Sequence, residues 1–161
     1  MSFPEILSLF AELSIGLAGF GGVASAFSGR ERTFSQMESV RLRSLLLSAA
    51  SVFVGCLGFY CASIVGIEEV RSTSVAAICS LPLTSFFAAT IVPPSWRSAY
   101  DPNTTTEKAH VVVFTIMTLA MIVAYLGTVV SGGSQAMLLV GFSVQLTFGL
   151  WMFERLLTRV N

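Results

Sequence analysis

Polar and apolar residues do not alternate along this chain; apolar residues gather in long blocks that are apolar all round. The blocks run roughly Phe3–Phe27, Leu42–Gly66, Ser74–Val92, Val111–Val130 and Ala136–Leu157. A helix needs about 20 such residues to cross a bilayer, and each block supplies close to that or more. Hydrocarbon offers no water to an open strand edge, so the blocks predict helices. Ser131-Gly132-Gly133-Ser134-Gln135 parts the last two as a tight helical hairpin, since one helix over Val111–Leu157 would be far too long to span. The expected fold class is an all-α integral membrane protein. Residues 1–161 form a single domain of five transmembrane helices at about 3–27, 36–66, 74–92, 105–130 and 136–157.

Local signals refine these limits. Ser35-Gln36-Met37-Glu38 has the Ser-x-x-Glu form of a capping box, which starts the second helix near Gln36. Thr104-Thr105-Thr106-Glu107 repeats the signal before the fourth, after a Pro93-Pro94 stop and an Asp101-Pro102-Asn103 turn. Pro82 should kink the third helix, with Ser80, Thr84 and Ser85 close enough to satisfy freed carbonyls. Ala24-Ser25-Ala26 has the form of a signal-peptide cleavage box. However, no Lys or Arg precedes the first block and Glu5 and Glu12 interrupt it, so it is expected to remain as a helix.

Charge gives an expected orientation. Five spans put Arg30, Arg32, Arg41, Arg43, Arg97, Lys108, Arg155 and Arg159 on one side and Arg71 alone on the other. The positive-inside rule then places the amino terminus outside and the carboxyl terminus in the cytoplasm. Trp96, Tyr100 and Trp151 fall near the inner interface, Tyr60 and Tyr125 toward the outer one. Charged residues are only 11% of the chain, and nine Lys and Arg balance nine Asp and Glu. No net field is directed at nucleic acid, and the expected partners are membrane lipids, with Arg30, Arg32, Arg41 and Arg43 as an anionic-lipid contact.

Small residues predict where helices approach closely. In the second block Ser44, Ser48, Ser51, Gly55, Gly58, Ala62 and Gly66 fall on one stripe, and in the first Ser14, Ala18, Gly22 and Ala26 recur every four residues. Such seams take the place of the hydrophobic effect inside a membrane. They join the two helices within a monomer, or face another copy of the chain, or both. Glu12 lies about 12 Å along the first helix, where a carboxylate is costly unless it meets water, a partner or a proton. Glu5 shares its face and Gly16 and Gly19 continue that face inward, a pattern that fits a cation or proton route. It equally fits a short helix lying in the membrane plane with its acids in headgroup water. Gln145, flanked by Gly141 and Gly149, is expected to hydrogen-bond across a helix interface, and with Thr118 it is the other candidate for the wall of a path.

Catalytic patterns are missing from the sequence. His110 is the sole histidine, Cys56, Cys61 and Cys79 lack metal-ligand spacing, and no nucleophile elbow or phosphate loop occurs. Neither an enzyme nor a cofactor is expected. Three segments, Glu12-Leu13-Ser14-Ile15-Gly16-Leu17-Ala18-Gly19-Phe20, Arg41-Leu42-Arg43-Ser44-Leu45-Leu46 and Phe153-Glu154-Arg155-Leu156-Leu157, resemble a pattern in small uncharacterised bacterial multi-span membrane proteins. The resemblance implies a bacterial inner (plasma) membrane and carries no assigned activity or site residue.

Two functions follow as expectations. The first is a homo-oligomeric permeation protein, channel or transporter-like, for an ion, proton or small solute, a cation before an anion because the deep charges are acidic. The second is a non-transporting scaffold, sensor or accessory subunit that binds a membrane-protein partner through its small-residue seams.

Overall fold

The structure is a computed structural model that describes residues 2–28, 36–99 and 105–157, with side chains except at 24–25, 27–28, 36–37, 93–99, 105–110 and 156–157. Its elements are α1 (Phe3–Ser28), α2 (Gln36–Ile64), α3 (Glu69–Ala99), α4 (Thr105–Val130) and α5 (Gln135–Leu157). All five are long and apolar enough to cross a membrane, which is the architecture of an integral membrane protein. Arg30, Arg32, Ser35, Tyr100, Asn103, Thr104 and Arg159 lie outside the described residues, as do the side chains of Trp96, Arg97, Lys108 and His110.

Two tight turns close one end of the molecule, and both use the same device. At the end of α2 the Gly66 N–H donates to the Ser63 carbonyl and the Ile67 N–H to that of Ala62, with φ +84° at Gly66. At the end of α4, Gly132 donates to Val129 and Gly133 to Thr128, with φ of +74° and +106°. This is the Schellman arrangement, which closes a helix on its own last carbonyls and needs a residue free to adopt left-handed φ. Gly66 is therefore a turn residue, outside the helical seam in which its spacing put it.

α3 is longer than the 74–92 expected. It begins at Glu69, since acidic groups favour a helix amino terminus and the polar residues that follow bond back to carbonyls about one turn earlier. Ser72 Oγ donates to the Ile67 and Glu68 carbonyls and Thr73 Oγ1 to that of Glu69. Helical backbone also runs through Pro93-Pro94 to Ala99. Each proline removes one N–H donor, but its φ is helical, so the prolines weaken this stretch without ending it. At Pro82 the carbonyl deprived of its partner is that of Ile78. The Ser80 and Thr84 hydroxyls turn instead to the carbonyls of Ala76, Ser51 and Ser80.

α2, α3, α4 and α5 form an antiparallel ring in which each packs on the next, α5 returns to α2, and α3 and α5 also meet across the diagonal. α1 lies outside the ring, against α2 and α5. It runs antiparallel to α2, with Phe3 on Phe59 and Gly21 on Leu45, and parallel to α5, with Phe10 on Phe142 and Phe20 near Phe153. A second aromatic group, Phe87, Phe114, Phe148 and Trp151, fills the ring toward the end opposite the turns.

The turns also meet each other. A Cβ on Gly133 would overlap the Val70 carbonyl, so backbone lies directly on backbone, and Gln135 Nε2 donates to Glu69 Oε1 at 2.8 Å. Gly133→Ala should accordingly destabilise by roughly 2 kcal/mol or more, combining left-handed φ with a clash that no side chain can relieve. Gly22→Ala, whose new methyl meets nothing within 4 Å, should be neutral or mildly stabilising. Unfolding in mixed micelles of lipid and denaturing detergent measures both, and equal effects would contradict the packing described.

Candidate functional site

Midway along the ring, polar side chains from four helices converge in the buried interior. α2 contributes Ser51, α3 contributes Ser80 and Thr84, α4 contributes Tyr125 and α5 contributes Gln145, all buried. They stand about 15–20 Å from the turn end for Ser51 and Gln145, at 1.5 Å per residue. Ser51 and Ser80 exchange bonds across the α2–α3 seam. Ser51 Oγ donates to the Ser80 carbonyl at 3.1 Å, and Ser80 Oγ to the Ser51 carbonyl at 3.0 Å. Gly55, one turn along α2, permits this approach, since a Cβ there would overlap Ser80 Oγ.

Gln145 ties the other helices to that pair. Its Nε2 donates to Thr84 Oγ1 at 3.3 Å, and its Oε1 accepts the Tyr125 hydroxyl. Ser51 Oγ has three oxygen neighbours, the Ser80 carbonyl, Thr84 Oγ1 at 3.1 Å and Gln145 Oε1 at 3.4 Å, but one proton to donate among them. Among the described residues no buried side-chain N or O atom lacks a partner. The cluster is neutral and internally satisfied, and what it does chemically is fasten four helices together.

Three of its members were legible only in part. Tyr125, placed at the outer interface by its position near the end of α4, is fully buried. Its ring packs over Gly141, where a Cβ would lie 2.7 Å away, and its hydroxyl reaches inward to Gln145. Ser80 and Thr84 were assigned to carbonyls freed by Pro82; the signal for their actual role was their one-turn spacing opposite Ser51 in an apolar helix.

Glu12 is the contrasting polar group. Phe10 packs on Phe142 and Leu17 against Gly149, so Glu12 stands near the depth of Gln145. It faces outward, exposed, and among the described residues no hydrogen bond or ion pair reaches it. Gly16 and Gly19 lie beside it on the same outer face, both exposed and with open space where a Cβ would be. A helix long and apolar enough to span a membrane thus presents a carboxyl and two bare glycines to its surroundings.

The remaining candidates separate from Gln145 and Glu12. Glu5 Oε2 accepts the Ser2 N–H at 2.7 Å, so Ser2 and Glu5 form half of a capping box at the start of α1. Thr118 is buried, but its hydroxyl donates to the Phe114 carbonyl of its own helix. Arg41 Nη1 donates to the Arg155 carbonyl at 3.3 Å, near the carboxyl end of α5 where a cation is favoured, whereas Arg43 is exposed. Arg155 in turn stands over the Trp151 ring, 5.9 Å from its centroid.

The seams are turned differently from their simplest reading. Ser44, Ser48, Ser51, Gly55 and Ala62 are buried and Gly58 partly so, and the stripe faces α3 and α5, with Gly55 against Ser80 and Phe142 and Gly58 against Cys79. On α1, Ser14 is buried and Ala18 partly buried, but Gly22 and Ala26 are exposed. A spacing of four rotates by about 40° at each step, carrying the stripe off the contact face, while a spacing of seven drifts by only about 20°. Leu7, Ser14 and Gly21 follow the latter spacing and stay inside.

Comparison with protein-family models, curated proteins and solved structures finds no match to this chain. The functional reading therefore rests on geometry. Removing the central hydroxyl in Tyr125→Phe should cost about 1 kcal/mol, within the range of hydrogen bonds inside membrane proteins. Combined with Gln145→Leu it should cost measurably less than the two single changes together, because both remove one bond. Strict additivity in a double-mutant unfolding cycle would contradict that coupling.

Proposed function

We propose that the protein acts in a membrane as a homo-oligomer whose copies meet along the outer face of α1, and that an ion, proton or small solute passes beside Glu12 between copies. A cation is favoured over an anion, because the deep unpaired group is acidic. The observation that carries this reading is Glu12 itself, exposed at mid-depth on a spanning helix with no partner among the described residues. A carboxyl in that position needs water, a proton or a neighbouring protein. Gly16 and Gly19 supply the close approach through which membrane helices associate. A path inside one copy is disfavoured by the satisfied polar cluster and the rings of Phe59, Phe142 and Phe148 that fill the interior.

The orientation we infer puts the two tight turns outside and the opposite end in the cytoplasm of a bacterial cell. It follows the excess of arginine at that opposite end, where Arg41, Arg43 and Arg155 lie, against Arg71 beside the turns. The filled interior also suits a non-transporting accessory subunit that uses the same α1 face to hold a partner.

Flux in proteoliposomes and mass in lipid nanodiscs separate these readings. Wild type should be oligomeric and conduct a cation or protons, and Glu12→Gln should lower or reselect the flux by about tenfold, the scale of a 1.4 kcal/mol change. Gly16→Leu with Gly19→Leu should dissociate the copies and abolish flux. A monomer without flux would overturn the proposal, and an oligomer without flux would leave the accessory reading.

A further inference from the structure

We propose that the end of the molecule carrying the two tight turns is seated in the headgroup–acyl boundary of its membrane leaflet, so that the partner this surface fits is lipid and not a soluble ligand. Three large apolar side chains there are open to the surroundings. Ile64 is 85% exposed, Val65 79% and Val130 86%. Isolated exposed apolar residues carry little meaning, but Ile64 and Val130 continue stripes that already run along the spanning helices, and Val65 adjoins the first. Leu57, Cys61 and Ile64 lead off the end of α2 in steps of four and three, and Val123, Leu126 and Val130 off the end of α4 in steps of three and four, all exposed. The lipid-facing surface therefore runs without a break into the turns.

Schellman turns of this kind close helices in any solvent, and they also let these two helix ends reach the acyl boundary without open N–H groups of their own. Here Val65, Gly66 and Ile67 all donate to carbonyls of α2, and Ser131, Gly132 and Gly133 all donate to carbonyls of α4. Ser134 N–H donates to Ser131 Oγ. The contact of Gly133 with the Val70 carbonyl joins the two turns into one surface.

The charges beside the turns, Glu68, Glu69 and Arg71, gather at the start of α3, and Glu5 stands at the same end at the start of α1. Glu68 Oε2 lies 3.9 Å from Arg71 Nε, and Glu69 Oε1 accepts from Gln135 Nε2. Interfacial segments share this division, an apolar face toward acyl chains and a polar face toward headgroups. The inference holds for one copy or for several, and is independent of transport.

The test places a spin label at Val65, Val130 or Glu68 in a full-length chain with its native cysteines replaced by alanine, reconstituted in phosphatidylcholine–phosphatidylglycerol vesicles. Oxygen partitions into acyl chains and a nickel chelate into water. The expected result is oxygen-dominated relaxation at V65C and V130C, with nickel accessibility several-fold lower than at E68C. Nickel accessibility at V65C and V130C equal to that at E68C would overturn the proposal. Hydroxyl-radical footprinting of the unaltered protein in nanodiscs gives a second measurement that needs no substitution. Ile64, Val65 and Val130 should be protected relative to Glu68 and Arg71, and equal oxidation of both groups would likewise overturn it.

Discussion

Hydrocarbon offers no hydrogen-bond partner, so a polar group buried among helices this apolar must be answered from within the protein, and the arrangement of these helices depends on that constraint. Serine and threonine bond back to their own helices, as at Ser44, Thr118 and Thr128. Both tight turns return their N–H groups to the helix just ended. Where a side chain cannot be satisfied locally, as at Gln145, four helices are drawn together around it. Association inside a membrane has little apolar driving force, so these bonds and the close glycine contacts beside them set the register of the ring.

The same constraint separates the inside of the bundle from its outside. Gln145 and Glu12 stand at similar depth, one surrounded by donors and acceptors, the other turned outward beside glycines without side-chain cover. The interior is complete as it stands; the outer face of α1 is not. That asymmetry is why the functional proposal rests on the periphery of the molecule, although its most elaborate polar chemistry lies at the centre.

Architecture contributes to the asymmetry. α1 leans on α2 and α5 alone, so its remaining face stays open, while each helix of the ring has at least two ring neighbours. The glycines of α1 divide accordingly. Gly21 accepts Leu45 against its backbone, and Gly16, Gly19 and Gly22 face outward. A helix held on one side and grooved on the other suits a further contact without repacking of the core.

Composition and block length alone determined the helical class, the five spanning candidates and the hairpin at Ser131–Ser134, because each follows from how much apolar sequence a membrane requires. The importance of Gln145 was visible too, since an amide in an apolar helix must find a partner. Which partner it finds was not visible. Ser51, Thr84 and Tyr125 are distant in sequence, and only the register of one helix against another brings them together. The face that each seam presents also escaped the linear reading. Residues every four along α1 rotate away from the contact line, so Gly22 and Ala26 end outside while Gly21 goes in. Tyr125 could have been an interfacial anchor by position, and tertiary packing instead directed its hydroxyl to Gln145. Local sequence determined which stretches are long apolar helices; the mutual rotation and register of those helices decided which polar groups are satisfied and which, like Glu12, are left facing out.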